Sequence, residues 1–179
     1  ALYRDVGRQK DFMREHLLPL INSAREENDG SLDEEDFSKI RNYYGLGVPA
    51  IVGEAFCTLR GRQMNNSERM ASTFQGAMTG LYDDFFDKTG MDTKTIRSMM
   101  ASPFSYQAST SLEKLFIRFL QRVHQHLPDR EYFMHTFEQV FEAQAASSRQ
   151  KNNSLSREDI RNITFCKGGN SLLFYRSVF

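Results

Sequence analysis

The sequence predicts an all-α protein, and three observations carry that prediction. Apolar residues recur at spacings of three and four through most of the chain. The recurrences open on Ser, Thr, Asn or Asp in cap positions and close on Gly or Pro. No stretch alternates apolar and polar residues between hairpin turns, and neither a repeat of fixed period nor a low-complexity tract is present. With 179 residues, the chain is long enough for one domain, 1–179, with a core of its own.

The elements follow in order. Phe12, Met13, Leu17, Leu20 and Ile21 approximate a helical stripe between about Tyr3 and Asn28, which Pro19 should kink or divide before Asn28-Asp29-Gly30 closes it. Ser31 and Glu34 have the spacing of a capping box, so a helix burying Phe37, Ile40 and Tyr44 is expected to start there and to end at Gly45 and Gly47. Pro49 suits a first helical position, and the nearly all-apolar run Ala50 to Leu59 is expected deep in the core, with Arg60-Gly61-Arg62 as its exit. Asn65-Asn66-Ser67 caps the next helix, whose stripe is Met70, Phe74, Ala77, Met78, Leu81 and Phe85, and Gly90 should end it. Gly76 and Gly80 leave one face of it bare, which suits close packing on a neighbouring helix better than room for a ligand. Asp92 caps a short helix to about Ala101, before Pro103. Thr110 and Glu113 form a capping box ahead of Leu112, Leu115, Phe116, Phe119, Leu120, Val123 and Leu127, with Pro128 as terminator. Asp129 starts a helix with Phe133, Phe137, Val140 and Phe141 inward, fading in the polar loop Ser147 to Asn153. Ser156 with Asp159 is the last cap, and a break is expected at Gly168-Gly169 before helical character resumes at Ser171.

Composition excludes several functions. Lys+Arg and Asp+Glu both number 23, so no global field favours nucleic acid or an anionic membrane surface. No apolar run reaches the length of an integral membrane segment. Cys57 and Cys166 show neither metal-ligand spacing nor a disulfide framework; both read as buried small apolar residues in a cytoplasmic protein. The chain starts at Ala1 and stops at Phe179 inside an apolar helical run, so a fragment of a larger α-bundle is expected.

The chemistry concentrates in Leu81-Tyr82-Asp83-Asp84-Phe85-Phe86-Asp87. Asp83 and Asp87 are one turn apart and Asp84 and Asp87 three residues apart, so all three carboxylates can address one region. They stand in the last turns of a helix, where the macrodipole disfavours negative charge, and they interleave with aromatic residues. A solvated acidic helix end is the plain reading; a divalent cation, Mg2+ above all, is the functional one, with open positions left for water and phosphate. Lys167 before Gly168-Gly169 reads either as a helix C-terminus or as a point charge for phosphate at a helix break. Glu131, His135 and Glu138 share a helical face, but His16, His124, His126 and His135 read as surface or core residues.

Asp83-Asp84-Phe85-Phe86-Asp87 in an apolar helix, followed about eighty residues later by Lys167-Gly168-Gly169-Asn170-Ser171-Leu172-Leu173-Phe174-Tyr175, resembles the first half of a class I isoprenoid (terpenoid or polyprenyl) synthase. The resemblance is closest to uncharacterised bacterial class 1 isoprenoid biosynthesis enzymes. It implies a helical bundle of the isoprenoid synthase type, here an incomplete N-terminal part. In that superfamily a DDxxD motif binds Mg2+ ions that clamp a prenyl diphosphate. Carried over by position, Asp83, Asp84 and Asp87 would be metal ligands, with Asp84 the least direct, and Lys167 resembles the helix-break lysine that contacts diphosphate in the prenyltransferase branch. The second metal motif of the family does not occur before Phe179, and Lys88-Thr89-Gly90-Met91 stands where chain-elongating synthases carry an arginine pair.

The resemblance implies a Mg2+-dependent prenyltransferase or terpene synthase-like enzyme when the chain is intact, and an inactive fragment as it stands. Its expected partners are a prenyl diphosphate and, as a homo-oligomer, a second copy of the chain. The alternative is a non-catalytic helical interaction module or a degenerate relative.

Overall fold

The computed structural model describes residues 2–147 and 155–179, and every regular element in them is helical. Eight helices are formed: α1 (Leu2–His16), α2 (Leu18–Glu26), α3 (34–59), α4 (Asn66–Asp87), α5 (Thr93–Ala101), α6 (Ser111–His124), α7 (Arg130–Ser147) and α8 (Arg157–Arg176). The all-α bundle expected from the sequence is the observed fold. α4 lies at its centre, packed along α6 and α3; α7 and α8 pair with each other, and α1 lies on α3. Phe74, Met78, Leu81, Phe85, Phe116, Phe119, Phe133, Phe137 and Phe174 are shut off from solvent in a continuous core.

Most caps stand where the sequence puts them. Asn65 with Glu68 and Ser156 with Asp159 form full capping boxes, Asp92 accepts from Lys94 and Thr95 N–H groups, and Thr110 accepts from Glu113 N–H. Pro19 does divide the first helical stretch, with Leu17 between α1 and α2. The box expected at Ser31 and Glu34 is instead formed by Asp33 and Asp36. The Ser31 hydroxyl is otherwise engaged, accepting from the Leu112 N–H at 2.9 Å at the start of α6.

Three expectations fail for physical reasons. Gly45 and Gly47 do not end a helix; α3 runs unbroken, with two π-helical stretches, Lys39–Tyr44 and Val48–Gly53, on either side of them. The wider turns absorb the glycines and give the ring of Pro49 room that an α-turn denies it. The Gly45 carbonyl is held from outside by Gln9 Nε2 at 3.0 Å, and that amide also donates to Thr73 at 2.9 Å. Arg69 completes this buried network, donating to Gln9 at 3.0 Å and to Glu54 at 2.6 Å, so α1, α3 and α4 are tied by fully paired polar groups. Second, the run Ala50 to Leu59 is not deep in the core: Ala50, Gly53 and Cys57 face inward, but Ile51 and Leu59 are exposed. A helix on the rim of a bundle buries one face, whatever the composition of the other. Third, α8 continues straight through Gly168-Gly169, because its contact with α7 carries it past two poor helix formers. Cys166 is exposed on this helix rather than buried, and of the polar loop expected at 147–153 only Ser147, the last residue of α7, belongs to the described residues.

Candidate functional site

The site is organised by the C-terminal half of α4. Its apolar stripe turns Leu81, Tyr82 and Phe85 into the core, and this rotation fixes the directions left to the three acids. Gly76 and Gly80 let α3 lie close against it. A Cβ at Gly76 would stand 2.4 Å from the Tyr44 carbonyl, and one at Gly80 would be 3.0 Å from the Tyr44 ring. The bare face serves helix packing, and through it α3 brings Lys39 and Tyr44 over the acids.

Asp84 turns toward α3 and is 5% exposed. Its Oδ1 lies 3.7 Å from Lys39 Nζ and 3.8 Å from Lys88 Nζ. Beside it stands Asp36, 1% exposed, which also pairs with Lys88 and accepts from the Asp33 N–H at 2.9 Å. Asp33 adds a third carboxylate, 3.0 Å from Lys88. Three carboxylates thus face two ammonium groups. Burial and the hydrogen bond and charge of Asp36 push Asp84 up to about 6. Lys88 is held above the usual lysine range by Asp36, Asp33 and Asp84, which outweigh its desolvation. Asp84 Oδ2 is buried and has no hydrogen-bond partner among the described residues.

Asp83 takes the other direction. Half-buried, it lies within the reach of the charges of Lys167 on α8 and Lys39 on α3. Burial raises its carboxyl; the positive charge of Lys167 opposes the rise, Asp87 adds to it, and Lys39 opposes it again. Tyr44 and Tyr175 stand within the reach of the Asp83 charge. Burial and the Asp83 charge raise the Tyr44 hydroxyl, and burial raises Tyr175, whose hydroxyl reaches Thr79. Asp87 is exposed at the helix end. The last turn widens there: the Thr89 and Met91 N–H groups donate to the Asp84 and Phe85 carbonyls, and Gly90 takes φ +60°.

The structure therefore places Asp83 within the reach of the charges of Asp87 and Lys167 and turns Asp84 toward Lys39 and Lys88. Among the described residues no three His, Cys, Asp or Glu side chains converge as a metal-ligating group. Glu138 pairs with Arg97, and His135 lies beside Gln139. Sequence reasoning missed Asp36, Lys39, Tyr44 and Lys88. Lys88 was within reach, being four residues after Asp84, where a cation offsets both the acid and the helix C-terminus. Asp36 and Lys39 required the α3–α4 register, which spacing within either helix does not contain.

No protein-family model, curated protein or solved structure matches the chain.

Proposed function

We propose that the surface around Asp83, between α4 and α8, holds the diphosphate of a prenyl diphosphate together with Mg2+, and that the intact protein ionises or transfers that substrate. The observation that carries this reading is that Asp83 on α4 and Lys167 on α8, far apart in sequence, lie on two touching helices and near enough for the lysine charge to act on the half-buried carboxyl. Mg2+ uses one or two carboxylates and completes its coordination with water and phosphate, and it would stabilise a departing pyrophosphate. Asp83 and Asp87, sharing one face of α4, fit that donor set, whereas Asp84 is directed at Lys39 and Lys88. On this reading Asp84 is a positioning residue that fixes Lys39 near Asp83. Lys167 holds phosphate as a point charge, Lys39 adds a second cation, and the rings of Tyr44 and Tyr175 shield an allylic cation. Two free thiols support a cytoplasmic setting. The exposed Phe165 and Leu172 of α8 support a second copy of the chain as a further partner.

The test is pyrophosphate release from geranyl or farnesyl diphosphate by the purified intact protein. Release that requires Mg2+ and falls at least about a hundredfold in Asp83→Asn is expected, as for loss of a group that stabilises developing charge. An intact protein that consumes neither substrate contradicts the proposal.

A second reading, a non-catalytic helical module, is favoured by the engagement of Asp84 with two lysines and by the apolar residues left open on α8. It predicts that Mg2+ and pyrophosphate together leave Tm unchanged. An upward shift rules it out.

A further inference from the structure

We propose that the first turn of α2 is a docking surface for an anionic lipid bilayer: an apolar ridge set between two cationic hollows that take lipid phosphates. The surface is built from α1, α2, α3 and α6, and it contains none of the residues proposed to hold diphosphate.

The ridge is Leu18-Pro19-Leu20. Successive residues of a helix lie about 100° apart around its axis, so Leu18 and Leu20 flank Pro19 on opposite sides. Pro19 is exposed and the two leucines are half-buried. Leu18 lines a hollow of about 220 Å3 against α1 and α3, with Lys10, Arg14 and Arg41 around it. Leu20 lines one of about 320 Å3 against α6, with Arg118 and Arg122 one turn apart. Both are small beside the pockets that enclose whole organic ligands.

No acid lines either hollow. Arg14 pairs with Asp11 at 3.0 Å and Glu27 stands 3.8 Å from Arg118, but no ion pair among the described residues includes Lys10, Arg41 or Arg122. The balance of 23 cations and 23 acids over the chain thus conceals a local excess. Helix dipoles explain only part of it. Arg14 and Arg122 stand in the last turns of α1 and α6, where positive charge is favoured, whereas Lys10, Arg41 and Arg118 stand mid-helix.

Five cations alone would suit nucleic acid as well, and the lining decides between the two. No aromatic ring lines either hollow, so a base finds nothing to stack on. Aliphatic side chains flanked by Lys and Arg match the headgroup boundary of an anionic leaflet, where the charges hold phosphates and the ridge enters toward the acyl chains.

Co-sedimentation of the protein with phosphatidylcholine vesicles, with and without phosphatidylserine, tests this. Binding only to the vesicles that contain phosphatidylserine is expected, and it should weaken as salt is raised. Arg41→Gln and Arg122→Gln, one from each hollow, should each weaken it about fivefold, the effect of one charge at such a surface. Pro19→Glu should weaken it at least tenfold, although an acid suits the first turn of a helix. Lys94→Gln, which removes an exposed cation of α5, should leave binding unchanged. All four positions are exposed, and circular dichroism checks that each variant folds. Equal binding to both kinds of vesicle, no binding to either, or unaltered affinity in Pro19→Glu or in both arginine variants overturns the proposal. A single-stranded oligonucleotide that binds more tightly than the vesicles and is lost in Arg122→Gln would assign the surface to nucleic acid and equally overturn it.

Discussion

Asp84 and His124 are titratable groups held against their ordinary preferences, and they pull stability in opposite directions. With Asp84 at about 6, the native state keeps a proton that the unfolded chain releases near pH 4. Stability from Asp84 is therefore present at low pH and lost as pH rises through the window from about 4 to 6. His124, packed between Phe104 and Phe133, has both ring nitrogens buried without a partner among the described residues. Burial and the nearby Arg130 charge lower it to about 4. Here the unfolded chain binds the proton, so stability rises with pH from about 4 to 6.5. The wild type should thus show a flatter profile between pH 4.5 and 6.5 than either variant. Urea denaturation should give Asp84→Asn a stability that climbs with pH and His124→Phe one that falls, each by on the order of 2 kcal/mol. Parallel profiles for all three proteins would show that neither group is perturbed. The buried Tyr82 hydroxyl also lacks a partner among the described residues, so Tyr82→Phe should be neutral or stabilising by up to about 1 kcal/mol in the same measurement.

At the scale of the element, glycines with one appearance in sequence divide into two kinds. Gly76 on α4 is pressed against the Tyr44 carbonyl and Val48, whereas an added Cβ at Gly168 or Gly169 on α8 meets nothing within 4 Å. Gly76→Ala forces α3 away from α4, and strain of about 1–3 kcal/mol exceeds the propensity gain of about 1 kcal/mol. Gly169→Ala has only the gain, so thermal unfolding should show a lowered Tm for the first and a raised Tm for the second. Equal shifts would mean that the α3–α4 contact is loose. The sequence distinguishes these positions only in part. Gly76 and Gly80, one turn apart on an apolar helix, were legible as packing glycines. The π-helical turns of α3 were not, because they arise where Gln9, Leu17 and Gly76 press on Gly45 and Tyr44 from other helices. Gly168-Gly169 misled for the converse reason: the intrinsic cost of two glycines is real, but packing along α7 exceeds it.

For the molecule as a whole, fold class and most helix boundaries were legible because caps and apolar periodicity are local. Of the candidate site, the sequence offers only the acids and one lysine. The division of the site into an Asp83 face and an Asp84 face follows from the rotation of α4 about its own stripe; the partners of Asp84 follow from how α3 crosses it. Asp33, Asp36, Lys39 and Lys88 assemble from two helices more than forty residues apart in sequence, and no spacing rule reaches that far. The central claim is that Asp83 and Lys167 act together on one ligand. Calorimetric titration of pyrophosphate in the presence of Mg2+ tests it most directly, with wild type, Asp83→Asn, Lys167→Gln and the double variant compared. The account predicts Mg2+-dependent binding that each single change weakens tenfold or more, with less than additive loss in the double variant because the two groups share one ligand. Binding that is absent from the wild type, or that survives both substitutions, would contradict it.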